Sequence, residues 1–444
     1  MGRKILKAFL YLSLAVVILT ALLIAPIDRS SLEGQTGYQA TLLNLDTIKA
    51  NVSGAYPNLL HSTWAKVNIT PSYPMPLAGY TLRDNFTTVH DSLFCRIIGF
   101  RSGDYTAYML SVDLLLFPPE IQHQLHDKFI NTKTFLFFSA THTHNGIGGW
   151  HNSVIGNLAL GNYDKNWVST TTENISTTIN RLNSEFKPST LSYWETENTG
   201  YAENRIDPLK PTDSKLRGLK IKREDNTKAI LVTFSAHPTS INKKSLELSG
   251  DYPNALITTL ENDTIDFGIY LSGMVGSHRL ANIDGQEFDL VNNAAKELIH
   301  EIIKAKTWPA FDSIIISSRE IPIQFGGSQL RIARDWKVRN WVFESLIGPL
   351  DGYLSVLQLG NIVLLGTPCD FSGEIAVIHK LDSIANTANK KLIITSFNGE
   401  YCGYITADYH YNVSEKEEIR ALNWVGPYYG QYFAEMIQKV IQKK

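Results

Sequence analysis

The segment that most limits what this chain can fold into is residues 135–149, Phe-Leu-Phe-Phe-Ser-Ala-Thr-His-Thr-His-Asn-Gly-Ile-Gly-Gly, where an apolar, strand-like run delivers two histidines into a glycine-rich loop. Alternate residues of an extended chain point the same way, so His142 and His144 share one face and converge on one site. Imidazoles leaving a strand end into a glycine-permissive loop suit metal binding and proton transfer better than packing. The motif points to a metal-assisted hydrolase.

Three other segments repeat the arrangement of a buried-type strand followed at once by a polar group able to bind a metal. Residues 229–236 (Ala-Ile-Leu-Val-Thr-Phe-Ser-Ala) end at His237-Pro238, and the proline, which cannot donate to a ladder, marks the strand's end. Residues 361–368 end at Cys369-Asp370, and residues 391–397 run into a loop carrying Tyr401 and Tyr404. In open α/β sheets, ligands bind beyond the carboxyl ends of strands, so all four groups can meet in one crevice. Two imidazoles, a carboxylate and a phenolate would make a Zn²⁺ site of nitrogen and oxygen ligands.

With these residues in place the sequence resembles the neutral/alkaline non-lysosomal ceramidases, zinc-dependent amidases that cleave N-acylsphingosine. The family's Thr-His-Thr-His-Ser-Gly-x-Gly-Gly reads here Thr141-His142-Thr143-His144-Asn145-Gly146-Ile147-Gly148-Gly149, with asparagine in place of serine. Further landmarks follow in the family's order: Ala65-Lys66-Val67-Asn68-Ile69-Thr70-Pro71, Leu77-Ala78-Gly79-Tyr80, Glu203-Asn204-Arg205, Phe234-Ser235-Ala236-His237-Pro238-Thr239-Ser240 and Ser249-Gly250-Asp251. Pro368-Cys369-Asp370-Phe371-Ser372 stands where the family has Pro-Gly-Glu-Phe-Thr, and Tyr401-Cys402-Gly403-Tyr404-Ile405-Thr406 where it has Tyr-x-x-Tyr-Val-Thr.

The resemblance covers roughly residues 61–430. It implies that His142, His237, Asp370 and Tyr404 hold zinc, and that His144, Arg205 and Tyr404 act on the substrate. It also implies the reaction: metal-activated water attacks the carbonyl of a lipid N-acyl amide, giving sphingosine and a fatty acid, a step of sphingolipid metabolism.

The sequence departs from the family at four places. Asp370 is one methylene shorter than the family's glutamate, and Glu374, on the same face if residues 371–384 are helical, is the alternative ligand. Where the family has an Asn-Ala-Gly-Asp-Val-like loop, residues 270–282 read Tyr-Leu-Ser-Gly-Met-Val-Gly-Ser-His-Arg-Leu-Ala-Asn, and His278 beside Arg279 is expected to be a solvated surface residue. The family's second tyrosine, about a dozen residues after the metal-binding one, has no counterpart in Ser414-Glu415-Lys416-Glu417-Glu418-Ile419-Arg420. Residues 61–444 are read as a ceramidase-like catalytic domain, and the family's carboxyl-terminal immunoglobulin-like domain is not expected. Two other readings stand beside the amidase: a membrane-anchored binding protein that kept the fold and lost catalysis, and a zinc hydrolase of another ester or amide, since metal chemistry does not choose the acyl chain.

At the amino terminus, Arg3, Lys4 and Lys7 precede an uncharged apolar segment over residues 8–27, about the length that crosses a bilayer's hydrocarbon core. Basic residues on that side predict a membrane-anchored protein whose catalytic body lies on the outer (periplasmic or extracellular) face. A cleaved signal peptide, giving a secreted enzyme, is the other reading, against which stand the length of the run and the lack of a small-x-small site before Asp28. Residues 1–27 are thus read as an anchor and 28–60 as a stalk or short helix, with a Leu-rich stretch at 38–48.

Strands alternate with helical patterns, which argues α/β with mixed sheets flanked by helices and the metal site at strand carboxyl ends. Residues 216–222 and 229–234 read as an antiparallel hairpin, and residues 428–444 as an amphipathic helix closing on the body. A formal net charge of −2 gives no general attraction to nucleic acid, so no such partner is expected. Three cysteines, Cys95, Cys369 and Cys402, exclude a disulfide-stapled scaffold and are expected to be small buried thiols.

Overall fold

The apolar runs are continuous and buried on both faces, and two stacked sheets with helices outside them satisfy both. A computed structural model of the chain describes residues 2–80, 83–130 and 132–443; the side chain of Arg3 and all of Lys444 lie outside the described residues. The larger sheet has ten strands, and its main path runs Phe267–Ser272, Lys228–Phe234, Arg217–Arg223, Lys187–Glu195, Asn58–Asn68, Phe94–Ser102, Tyr105–Val112, Thr134–Ala140. It is parallel at its two end pairs and antiparallel between them, and Arg217–Arg223 with Lys228–Phe234 is the expected hairpin. The smaller sheet runs Asn51–Val52, Ile316–Pro322, Tyr353–Leu359, Ile362–Gly366, Lys391–Thr395, its last pair parallel. Mixed α/β architecture is what the sequence led us to expect.

Between the sheets, Ile362, Leu364, Leu357 and Ile393 meet Ile98, Phe100, Met109, Phe135 and Phe137. The alternate residues Val363 and Leu365 face the other way, onto Phe433, Met436 and Ile437 of the closing helix Tyr429–Gln442. On the far face of the larger sheet, Leu110, Leu136 and Phe138 pack on helices Pro119–Phe129 and Lys165–Leu182, while Ile230, Val232 and Tyr270 pack on Asp251–Asp263 and Glu287–Lys304. The layers are therefore helix, sheet, sheet, helix.

The larger sheet also curls so that its two ends touch. Ser111 Oγ donates to Tyr270 O at 2.5 Å and Ser272 Oγ to Thr141 O at 2.8 Å, joining strands from opposite ends of the path. That closure brings the chain leaving Thr134–Ala140 beside the chain leaving Lys228–Phe234, and with them the two histidine segments.

Several local expectations change. The helix expected over residues 371–384 is broken: Asp370–Phe371 is a strand, Gly373–Ile378 a helix, and Lys380 at φ 52° turns the chain into a second helix, Leu381–Thr387. His278 is not a solvated surface residue but fully buried: its Nδ1 faces Met274 O at 3.2 Å, and its Nε2 accepts from the amide of Asp213 at 3.2 Å. The short helix at 28–60 is Thr36–Thr47, and Leu45 packs it into the core beneath the closing helix. Among the described residues one helix, Lys4–Leu23, is long and apolar enough to cross a membrane, and no part of it is buried against the body.

Candidate metal centre

Four sequence-distant groups meet in a buried crevice. His142 Nε2 and His237 Nε2 lie 3.1 Å apart, and Asp370 Oδ1 lies 3.3 Å from the first and 3.2 Å from the second. Tyr404 Oη stands 3.0 Å from His237 Nε2. Asp370 and Tyr404 reach the same place because Asp370–Phe371 pairs in parallel with Tyr404–Ile405, and register sets Asp370 directly opposite Tyr404. Directly opposed residues in a ladder project to the same side.

Backbone carbonyls fix which ring nitrogens face the centre. His142 Nδ1 donates to Leu115 O at 2.6 Å and His237 Nδ1 to Val275 O at 2.8 Å, which leaves each Nε2 unprotonated and able to bind a cation. Phe397 stacks on the His142 ring with centroids 4.1 Å apart. His142 itself has φ 63°, a left-handed conformation that costs an L-residue about 1 kcal/mol and is retained where surrounding structure enforces it.

The centre passes a simple test for a cation. Two imidazole nitrogens whose ring protons are committed to carbonyls on the far side face each other across 3.1 Å, and a carboxylate oxygen with no hydrogen-bond partner faces both. Three lone-pair atoms held together in a dry space repel one another unless something positive sits among them. Ligand atoms about 2.0–2.1 Å from a tetrahedral zinc lie about 3.3 Å from each other, close to the 3.1–3.3 Å separations seen here.

Electrostatics agree with a neutral His237 and an ionised Asp370. Burial, aided by Arg205, pushes the His237 pKa down to about 3. Burial pushes Asp370 up, but positive charge or a proton at the facing His142 and His237 nitrogens outweighs it and holds the carboxyl well below its ordinary range, so Oδ1 is placed to face a cation. Burial, reinforced by Asp370, raises the Tyr404 phenol against the lowering effect of Arg205.

His144 is the third imidazole, its Nε2 3.4 Å from His142 Nε2, and one ring nitrogen from each of the three histidines lies within 4.8 Å of the other two. Its Nδ1 is buried without a partner, unlike the anchored Nδ1 atoms of the other two. Burial first, then His142 and His237, lower its pKa well below the usual value. The loop that carries it is clamped by Arg83, whose Nη1 donates to His144 O at 2.5 Å and to Ala78 O at 3.2 Å. Gly79, at φ 99°, admits this approach, since a Cβ there would sit 2.6 Å from His144 Cα.

Arg205 reaches the centre through Nη2, 3.1 Å from Tyr404 Oη and 3.2 Å from His237 Nε2. Glu374 does not join the four: its Oε2 accepts from Asn204 Nδ2 at 3.1 Å and pairs with His410 Nε2 at 3.0 Å, so the carboxylate facing the imidazoles is that of Asp370. Two residues near the centre were not assigned these places from sequence. Tyr401 donates to Asp370 Oδ2 at 2.6 Å, turning Oδ1 toward the imidazoles. Glu418 pairs with Arg205 Nε at 3.1 Å, filling the neighbourhood where the family's second tyrosine is missing. Nothing local distinguishes Glu418 from the charged residues beside it. Cys95, Cys369 and Cys402 are buried free thiols.

Residues 71–267 match the sequence family described as neutral/alkaline non-lysosomal ceramidase, N-terminal. The chain resembles the neutral/alkaline ceramidases in sequence and in fold. Among solved structures, neutral ceramidase from Pseudomonas aeruginosa superposes with a TM-score of 0.76 at 14% identity, covering 87% of this chain and 74% of that one. A ceramidase complexed with C2 superposes with a TM-score of 0.69 at 13% identity, covering 87% of this chain and 75% of that one. At such identities the likeness speaks for a shared ceramidase fold. No curated protein sequence gives a significant match.

Proposed function

We propose that the protein is a zinc-dependent hydrolase of N-acyl amide bonds in lipids, ceramidase-like in substrate class, with His142, His237, Asp370 and Tyr404 as ligands. The observation that carries this reading is the meeting of two unprotonated imidazole nitrogens and a partnerless carboxylate oxygen within 3.3 Å of one another. The family likeness supplies the bond and the substrate class.

Zinc held there would lower the pKa of a water from about 15.7 toward about 7 and polarise the substrate carbonyl. The protein's own residues supply the rest. Arg205 Nη2, already aimed at the centre, donates to the carbonyl oxygen as negative charge develops on it. Glu418 and Tyr404 hold the guanidinium from either side. Amines leave poorly until protonated, and His144, kept neutral by burial and with a free Nδ1, would take the proton given up by the attacking water and pass it to the departing nitrogen. The helix Lys4–Leu23 is proposed as a membrane anchor with the body on the outer face.

The test is elemental analysis of the full chain in detergent beside His142→Ala and Asp370→Ala, with hydrolysis of a fluorescent N-acylsphingosine assayed in parallel. About one zinc per chain, lost from both variants together with turnover, is the expected result. Zinc without ceramide turnover would remove the substrate class, and a metal-free chain would remove the chemistry.

A further inference from the structure

The apolar helix Lys4–Leu23 joins the body with no spacer. Its last residues run straight into the strand Ile24–Pro26, which pairs antiparallel with Trp336–Val338, setting Ile24 opposite Val338 and Pro26 opposite Trp336. The end of the helix is held from the body side as well: Arg339 Nε donates to Ala21 O at 2.9 Å, the Arg339 amide to Leu23 O at 2.8 Å, and Trp341 Nε1 to Leu22 O at 3.2 Å. These are carbonyls a helix end leaves unpaired.

About 20 apolar residues at 1.5 Å each span about 30 Å, the thickness of the hydrocarbon core. With such a helix in a bilayer and no slack after it, the surface around its exit is pressed against the headgroups. That surface carries apolar side chains open to solvent: Ile332 and Trp336 on the paired strands, Trp341 on helix Asn340–Leu346, and Val154 and Leu158 on helix Val154–Leu160, which packs beside it, each more than half exposed. Tryptophans at the point where a spanning helix leaves the hydrocarbon are characteristic of membrane–water interfaces.

The same surface is tied to the candidate centre. Leu160, the last residue of helix Val154–Leu160, accepts the amide of Gly149 at 2.7 Å, and Gly149 closes the glycine loop that carries His144. The fit at this junction is tight, since a Cβ on neighbouring Gly148 would collide with Leu160 O.

We propose that this surface sits in the headgroup layer of the bilayer the helix crosses, and that a lipid substrate reaches the centre from that bilayer past helix Val154–Leu160. The second half rests on the amide-hydrolase reading above; the first half does not. The occupant is a lipid bilayer, because the surface is fixed within a few residues of the only membrane-length helix among those described.

The test uses the full chain reconstituted in phosphatidylcholine vesicles. A fluorophore is placed on Leu158→Cys, where selective labelling is possible because the three native cysteines are buried. Quenching by lipids spin-labelled near the headgroup is expected, and a label that stays in water overturns the seated surface. In parallel, Val154→Glu with Leu158→Glu should reduce hydrolysis of a long-chain N-acylsphingosine embedded in the vesicles at least tenfold, while leaving hydrolysis of a water-soluble short-chain N-acyl amide unchanged. Equal losses on both substrates, or none on either, overturn entry from the bilayer. Quenching with no hydrolysis of either substrate by the parent chain upholds the surface and overturns the hydrolase reading instead.

Discussion

Replacing Asp370 by asparagine separates the metal requirement of the centre from its effect on stability. In the metal-free chain the partnerless Oδ1 faces two unprotonated nitrogens at 3.2–3.3 Å. An amide at this position can donate to one of them, satisfying an orphaned buried acceptor, a change worth about 1–3 kcal/mol. At about 2.1 cal/mol/K per residue, 444 residues give an unfolding entropy of about 0.9 kcal/mol/K, so the asparagine chain should melt about 1–3 °C above the parent in chelator at pH 8. Zinc reverses the order. Free metal at a thousandfold its Kd adds about 4 kcal/mol to the parent, or about 4–5 °C, and little to a variant that has lost the anionic ligand. Thermal scans of both chains, with chelator and with zinc, give the four values needed. If the asparagine chain melts below the parent in chelator, or shows the same rise with zinc, the argument from opposed lone pairs is wrong.

Tyr401→Phe removes the donor to Asp370 Oδ2 and should weaken zinc about 10–100-fold in a chelator competition, while the orphaned Oδ2 lowers the melting midpoint of the metal-free chain by about 1–3 °C. Arg205→Lys keeps the charge but not the fork that spans Glu418 and Tyr404; kcat should fall about 10²–10³-fold with zinc content unchanged, measured by turnover and elemental analysis on the same sample. Burial raises Asp113 from 3.8 to about 7, against the lowering effect of Arg96. Its carboxyl is therefore more easily ionised in the unfolded chain, and its contribution to stability, full below pH 4, declines through pH 7. At 1.36 kcal/mol per pH unit the loss is bounded at about 4 kcal/mol. Asp113→Asn should flatten the fall in melting midpoint between pH 4 and pH 8, and an unchanged slope would remove Asp113 from the account.

The residues at strand ends were legible because chemistry and geometry coincide there. A run such as 229–236 has to be buried, so the first polar group after it, His237, is delivered to the rim of the sheet. His142, Asp370 and Tyr404 follow from the same rule, and the structure brings all four together. What pairwise reading missed depends on distant partners. His278 was misjudged because the strand partner and the Asp213 amide that bury it come from other parts of the chain. Glu418 looks like one charge in a solvated run, and only Arg205, some two hundred positions earlier, gives it a task. The break at Lys380 has no proline or glycine to announce it, since the packing of Leu381 and Ala385 against the closing helix decides where the second turn starts. The sheets as a class were readable from short continuous apolar runs, whereas the closure of the larger one rests on hydroxyls, Ser111 and Ser272, whose partners lie more than a hundred residues away.

The stacking of the two sheets turns ordinary packing residues into a gauge of the centre. His142 and His237 follow strands of the larger sheet, while Asp370 follows a strand of the smaller one, and Tyr404 is hydrogen-bonded beside it. The separation of the two pairs is thus set by the thickness of the layer in which Leu364 and Phe137 meet, far from any reacting atom. A slip of one sheet over the other by a single ångström would exceed the tolerance of a four-point site. Selection on the width and stiffness of that greasy seam is, in effect, selection on the geometry of the chemistry above it.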